Sequence, residues 1–180
     1  AIIRVTADGQ KKAAADRGNA TVLAVDENGH RVFAANSKHG PGHVKLFDAR
    51  DFRPINFPSG RGQPERPSAG KETKGVTVSG LAYGNGRLYV AYRDRNLVAV
   101  NDGKSGDLIE TRQVPQPGRI ALAPNGSLLA ISGEQIVRVG RNGTSAVADD
   151  HLDEPAGIDI GPDGRIYVTN RGERQNVAVF

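Results

Sequence analysis

Apolar and polar residues alternate along short segments that flank an Asn-Gly or Asp-Gly pair at four places in the chain. The segments are Val22–Asn36, Gly80–Tyr92, Arg119–Ser132 and Gly157–Asn170. Alternation with a period of two on both sides of such a pair is the strongest short-range signal for a β-hairpin. Helical spacing is poor throughout, and the one Ala-rich run, Lys12–Asp16, is too short for a stable helix. The pattern therefore predicts an all-β protein.

The hairpins recur as a repeat. Their turns are separated by 57, 40 and 38 residues, measured between Gly29, Gly86, Gly126 and Gly164. Further apolar segments with a central turn fill the intervals: Ile136–Asp150, which aligns without gaps with Ile2–Asp16, and also Leu97–Arg112 and His43–Phe57. Four antiparallel strands, A to D, in a period of roughly 40 residues are typical of a β-propeller blade. About four blades are predicted.

The whole chain, 1–180, is predicted to be one propeller segment. The expected divisions are a partial blade at 1–18, a blade at 19–75 with a long insertion at 49–74, blades at 76–116 and 117–155, and a partial blade at 156–180. An open arc would leave edge strands and an inter-blade face uncovered, which invites aggregation. We therefore expect a ring of six to eight blades, completed by other blades or by a second chain. A closed four-bladed ring is the alternative.

Two segments carry a family resemblance. Residues Leu23–Ile55 resemble a repeat of the YVTN family of β-propellers, and Ala156–Phe180 resembles an NHL repeat that spells out Tyr167, Val168, Thr169 and Asn170. The resemblance implies a propeller fold. Propellers of this kind include bacterial and archaeal surface proteins, partner-binding modules, calcium-dependent lactonase-type hydrolases and domains of quinone or haem dehydrogenases. A fold shared this widely leaves the activity open.

Composition narrows the function classes. The chain has no Cys, which excludes disulfides, thiolate zinc sites and cysteine-attached haem. A net charge of +4 is too small to indicate nucleic-acid binding, and no apolar run is long enough to span a membrane. The absence of Cys suits exported and cytosolic proteins alike. We expect a periplasmic or extracellular location.

No P-loop, GxSxG, metal triad or haem motif occurs in the sequence. This favours a non-catalytic propeller that binds a protein or small ligand through the face bearing its D–A and B–C loops. One alternative is an enzyme with its site in the central channel, either a calcium-dependent lactonase-type hydrolase or a cofactor-bearing dehydrogenase. Another is a structural cell-surface module. The cofactor stays open, with calcium as the candidate that the hydrolase alternative implies.

The candidate ligand-binding residues lie on the inner strands and on this loop face. The long insertion is rich in Pro and Gly, and basic residues outnumber acidic ones in it. Asp159 alternates with Ile158 and Ile160 on an inner strand, and Arg119 opens the neighbouring one, where a structural pairing with Asp159 or Glu154 is the alternative. The candidates are Asp159, Arg119, Arg61, Arg66, Arg93, Arg95 and Arg171.

Neither a catalytic residue nor a metal ligand is assigned. The acidic loop Asp149–Pro155 and the His-bearing loop Asn36–His43 are interpreted as solvated loops, with a bound cation as the alternative for each. Asn36 and Asn170, at the ends of their B strands, are interpreted as structural corner residues.

Overall fold

Strands account for nearly all the regular structure of the chain. The computed structural model describes residues 3–5, 8, 10–13, 20–26, 28–35, 43–67 and 76–180. The strands are β1 (Ile3–Val5), β2 (Lys11–Ala13), β3 (Val22–Asp26), β4 (Arg31–Ala35), β5 (Val44–Asp48), β6 (Val78–Gly84), β7 (Arg87–Tyr92), β8 (Leu97–Asp102), β9 (Leu108–Gln113), β10 (Pro117–Leu122), β11 (Leu128–Ser132), β12 (Gln135–Gly140), β13 (Gly143–Ala148), β14 (Pro155–Ile160), β15 (Ile166–Asn170) and β16 (Val177–Val179). The one helical element in these residues is a 3-10 turn, Arg93–Arg95. None of their helices is long and apolar enough to cross a membrane.

The strands form antiparallel sheets in chain order. Beside the β1–β2 hairpin there are four: β3-β4-β5, β6-β7-β8-β9, β10-β11-β12-β13 and β14-β15-β16, called here the first to fourth blades. The first strands of the blades lie side by side, because β6 contacts both β3 and β10, and β10 contacts β14. Blades arranged around their first strands are the architecture of a β-propeller. The predicted fold class is confirmed.

The core lies between the blades. Three apolar layers fill the space between successive blades, with members such as Phe33, Leu46 and Val90, then Tyr89, Val100 and Leu128, then Leu129, Ile136 and Val168. Most of these side chains are less than 5% exposed. Burying one such side chain stabilises a fold by about 1.5–3 kcal/mol, so contact between blades is what holds the arc together.

Both ends of the arc expose apolar surface. On β3, Val22 and Ala24 pack toward the second blade, whereas Leu23 and Val25 are 48% and 50% exposed. On β16, Val177 and Val179 are 54% and 53% exposed. These two valines pair with residues that flank the buried Val168, so they lie on the side turned away from the third blade. Such faces fit the prediction that further blades or a second chain complete the ring, and the blade number stays a prediction.

The first blade departs from the four-stranded pattern. The sequence predicts a C–D hairpin over His43–Phe57, but the D strand is reduced to an isolated bridge between Phe47 and Pro54. Two backbone bonds flank the bridge, from the Ile55 N–H to the Leu46 carbonyl and from the Asp48 N–H to the Arg53 carbonyl. These bonds flank a non-hydrogen-bonded pair, so the nitrogen of Pro54 faces the outer edge of the sheet, where proline is tolerated.

Part of the predicted insertion is packed against the second blade. Phe57 is 2% exposed and covers Gly106. The buried Asn101 donates from Nδ2 to the Glu65 carbonyl at 2.7 Å, and the Glu65 N–H donates to the Gly106 carbonyl at 2.7 Å. Residues 49–67 are therefore held by specific contacts, while 68–74 lie outside the described residues.

Candidate ligand-binding face

The D–A and B–C loops of the fourth blade are joined by the side chain of Asn170. This residue ends β15 and is 5% exposed. Its Oδ1 accepts the Asp153 N–H at 3.1 Å, and its Nδ2 donates to the His151 carbonyl at 3.1 Å and to Asn176 Oδ1 at 2.8 Å. Asp153 Oδ2 in turn accepts the Arg174 N–H at 3.0 Å. The structural role predicted for Asn170 thus takes the form of a cross-link between two loops. Asn36 lies outside the described residues.

Replacing Asn170 with alanine should loosen both loops. The Asp153 N–H and the His151 carbonyl, both partly buried, would lose their side-chain partner, which costs on the order of 1 kcal/mol for each hydrogen bond. We expect faster amide hydrogen exchange at Asp153 and across residues 171–176, measured by mass spectrometry or NMR. Asn125 is the matched control, since its Oδ1 accepts only the exposed Ser127 N–H within a turn. Equal exchange in Asn170→Ala and Asn125→Ala would show that the cross-link does not order the face.

Similar cross-links join the same two loops in the second and third blades. In the second blade, the Thr77 N–H donates to Asp94 Oδ2 at 2.9 Å. The Gln116 N–H donates to Asn96 Oδ1 at 2.7 Å, which ties the B–C loop of this blade to the D–A loop that leads to the third blade. Ser132 Oγ donates to the Pro115 carbonyl at 2.6 Å. We use the term loop face for the surface formed by residues 93–96, 114–116, 133–134, 149–154 and 171–176. Side-chain bonds between its loops make this face a pre-formed surface.

Arg119 lies where the inner strand meets the loop face. Strands β6, β10 and β14 each carry a register shift near their first residue, between Val78 and Gly80, Pro117 and Ile120, and Pro155 and Gly157. Their pairings with the second strand of each blade put Gly80, Arg119 and Gly157 at equivalent positions. Bulges re-aim side chains and are frequent beside binding sites. Of these three blades, only the third has a side chain at this position, that of Arg119.

The Arg119 side chain points toward the fourth blade. The direction follows from the equivalent glycine, because a Cβ on Gly80 would lie 2.6 Å from the Gly118 carbonyl oxygen of the following blade. Ile120, just beyond the bulge, is buried on the other side, against the second blade. Arg171 of the fourth blade is close enough to act on Arg119 electrostatically.

Arg119 is half-buried and carries an uncompensated charge. Burial lowers the pKa of its guanidinium below the ordinary value, and the positive charge of Arg171 lowers that pKa further. The group stays protonated at neutral pH. No ion pair joins it to Asp159 or Glu154, and it has no hydrogen-bond partner within the described part of the chain. The structural pairing that the sequence allowed is absent.

Asp159 lies away from this site. It pairs with Tyr167 across the sheet, on the side opposite to Ile158 and Ile160, which pack toward the third blade. The carboxylate is exposed, and its Oδ1 accepts the N–H of Ile160 at 2.9 Å. Asp159 therefore belongs to the exposed end face of the fourth blade.

The other arginine candidates divide between two places. Arg61 contacts the turn between β8 and β9, where it pairs with Asp107 and, at 3.9 Å, with Glu65. Arg66 and Arg95 lie near Tyr92, where burial raises the pKa of the phenol to about 12 and their positive charges oppose that rise. Arg93, two residues before Arg95, is exposed. The structure thus places Arg119 and Arg171 on the two sides of one blade boundary, and Arg66 and Arg95 near Tyr92.

A buried ion pair on the opposite face was missed by sequence reasoning. Asp26, the last residue of β3, is 4% exposed, and its Oδ2 accepts from Arg31 Nε at 2.9 Å. Arg31 Nη1 also donates to the Gly103 carbonyl of the second blade at 2.6 Å. The signal was available, because Asp26 continues the alternation of β3 in phase with the buried Val22 and Ala24.

The face opposite the loop face carries the A–B turns and is called here the turn face. It also holds a cleft. It has a volume of about 280 Å³ and lies between the third and fourth blades, lined among others by Pro124, Arg138, Asp163 and Ile166. In the described residues, no group of three or more His, Asp or Glu side chains is placed to hold a metal ion. Asp26 is engaged by Arg31, and Asp159 points to the end face, so these inner-strand carboxylates do not converge on a calcium site.

Comparison with known proteins supports the fold. Residues 152–180 match the NHL repeat model. Hydrazine synthase from Kuenenia stuttgartiensis is similar with a TM-score of 0.64 and 18% identity over 93% of this chain and 47% of that chain. Glutaminyl cyclase from Myxococcus xanthus is similar with a TM-score of 0.56 and 15% identity over 89% of this chain and 72% of that chain. The computationally designed Ika4 protein is similar with a TM-score of 0.57 and 14% identity over 93% of this chain and 94% of that chain.

These likenesses define the architecture. The chain spans about half of the hydrazine synthase chain that it matches. A search of curated protein sequences finds no match. At such low identities the solved structures share the fold alone. The chain therefore has a β-propeller fold, and the match of residues 152–180 to the NHL repeat model agrees with the resemblance noted for Ala156–Phe180.

Proposed function

We propose that this propeller is a non-catalytic domain that binds a protein or small ligand through its loop face. The observation that carries the proposal is Arg119, a half-buried cation with no partner among the described residues, placed at the inner edge of that face. A charge withdrawn from water without a partner costs free energy, and a ligand that satisfies it recovers that cost. The repeat itself has no need of this side chain, since glycine occupies the position in the two flanking blades.

The order of the loop face supports the proposal. Binding residues are concentrated on loops that a rigid scaffold positions, and a pre-ordered surface loses less conformational entropy when a ligand binds. The bonds made by Asn170, Asn96 and Ser132 provide this order in three consecutive blades. The opposite face, in contrast, uses its buried charges internally, in the pair formed by Asp26 and Arg31.

A fragment screen distinguishes the two faces. The protein would be screened by ligand-observed NMR against a mixed library of carboxylates, phosphates, sugars and neutral aromatic fragments. Each hit would then be tested on two charge-reversal variants, Arg171→Glu on the loop face and Arg138→Glu on the turn face, after both are shown to fold. We expect hits to be lost in Arg171→Glu and retained in Arg138→Glu. The reverse pattern would move the binding site to the cleft and overturn the proposal.

A further inference from the structure

We propose that Arg119 and Arg171 together bind a single carboxylate or phosphate group, an inference that rests on the function proposed above and names the chemistry of the ligand. Arg119 lies on the bulge of β10, the inner strand beside β14, and Arg171 directly follows Asn170, which pairs with Pro155 at the start of β14. The positive charge of Arg171 also acts on the Arg119 guanidinium. Each comes from a different blade, so the site exists only in the assembled propeller.

Their charges favour an anion between them. Two like charges in a partly desolvated place repel each other, and an anion that contacts both converts the repulsion into attraction. Guanidinium groups present forked N–H donors that match the two oxygens of a carboxylate or phosphate. Arg171 is exposed, and its backbone N–H donates to the Glu154 carbonyl at 3.2 Å, which leaves its side chain available. Neither guanidinium has an ion-pair partner in the ranges that the structure describes.

The acidic loop beside the site limits the size of the anion. Asp149, Asp150 and Glu154 are exposed on the same face. Asp153 is already engaged, because its carboxylate accepts the Arg174 N–H. A rim of carboxylates repels a polyanion, whereas one terminal anionic group can enter between the two arginines without facing the rim along its length. The expected ligand is therefore a small molecule or chain end that carries one anionic group.

The equivalence with the flanking blades supplies the test variant. Arg119→Gly recreates the residue found at Gly80 and Gly157, so the strand geometry is retained while the guanidinium is removed. Since the side chain is half-buried beside a like charge, the melting temperature should not fall. Arg119→Gln keeps the length of the side chain as a second variant. Arg53→Gln removes one positive charge from the edge of the first blade, where the side chain is 84% exposed, and serves as the control.

The experiment follows the arginine Nε–H resonances by NMR during titration with four probes: inorganic phosphate, acetate, and a short peptide with either a free or an amidated C-terminus. Sodium chloride at matched ionic strength gives the background. We expect saturable shifts at Arg119 and Arg171 with phosphate and acetate, and affinity weakened by about tenfold or more in both Arg119 variants and unchanged in Arg53→Gln. Binding of the free-acid peptide and not of the amidated one would identify a chain end as the source of the carboxylate, whereas binding of phosphate and acetate but of neither peptide would assign the source to small molecules. Equal binding of both peptides would contradict the site, because the amidated peptide has no terminal carboxylate.

Two outcomes would overturn the inference. If neutral fragments bind the loop face and no anion gives a saturable shift, the anion site is wrong and the proposed function survives. If Arg53→Gln weakens binding as much as Arg119→Gly, the effect is one of net charge and the site is wrong. If neither anions nor neutral fragments bind the loop face of the wild-type protein, both the anion site and the proposed function are wrong.

Discussion

Replacing Asp26 with asparagine should destabilise the protein by about 3–5 kcal/mol, the cost of removing one partner from a buried ion pair. The side chains of Asp26 and Arg31 are only 5% and 17% exposed. The guanidinium lies between the first two blades, where it also donates to the Gly103 carbonyl and to Tyr83 Oη at 3.3 Å. Without the carboxylate, the cation would remain at the inter-blade boundary with its charge uncompensated. Urea denaturation followed by circular dichroism measures the loss.

The same pair predicts a pH dependence. Burial alone would raise the pKa of Asp26, but hydrogen bonds from the Gly29 N–H and from Arg31, with the positive charge of Arg31, hold it below its ordinary value. A carboxyl group whose folded pKa is depressed contributes stability above its unfolded pKa, about 3.9, and that stability is lost as the pH falls through the folded value. Unfolding free energies measured from pH 6 downward should therefore decline below about pH 4 more steeply in the wild type than in Asp26→Asn.

Asp163 provides the matched control. It lies in the A–B turn of the fourth blade and pairs with Arg165 at 3.2 Å, but the two side chains are 47% and 66% exposed. An exposed pair contributes about 0–1 kcal/mol, so Asp163→Asn should change the unfolding free energy little. Equal losses in the two variants would mean that the inter-blade placement of Asp26 has no special effect.

The substitution Gly80→Ala should lower the free energy of unfolding by about 3 kcal/mol, near the upper end of the range for overpacked cores. The new Cβ would lie 2.6 Å from the Gly118 carbonyl oxygen and 2.9 Å from the Ile120 nitrogen. Both are backbone atoms of the neighbouring blade, so no side chain can rotate away, and β6 and β10 would have to separate. The Ser79 hydroxyl, which donates to the Pro117 carbonyl at 2.5 Å, would be displaced with them. Chemical denaturation measures the change.

Gly62→Ala is the control for this substitution. Its new Cβ would meet the Asn56 side-chain oxygen at 3.3 Å, and that side chain can move. The same chemical change should therefore leave stability within about 0.5 kcal/mol of the wild type. A Gly80→Ala variant as stable as Gly62→Ala would contradict the close approach of the two inner strands.

Local pattern was sufficient to predict the hairpins. Alternation and the glycines of the A–B turns are properties of neighbouring residues, so the sequence predicted the strands of the second and third blades and the order in which they pair. It did not predict the reduction of the first blade's D strand to a single bridge at Pro54. The propeller class followed from the repeat, while the number of blades did not.

The candidate site was harder to predict because it depends on contacts between blades. The sequence placed Arg119 on an inner strand, but the side of the sheet that its side chain takes depends on which blade Ile120 packs against. Asp159 alternates in the same way and points to the other side of its own blade. Arg31 contacts Gly103, 72 residues away in the chain, which no repeat unit reveals. Residues that join blades follow the packing of the whole arc.

The position of a bound anion tests the central claim most directly. Crystals of the protein would be soaked in inorganic phosphate, and the soak would be repeated with Arg119→Gly. We expect phosphate oxygens within hydrogen-bonding distance of both the Arg119 and the Arg171 guanidinium groups, and no phosphate there in the variant. Phosphate found instead in the cleft beside Arg138, or bound on the loop face equally well without Arg119, would contradict it.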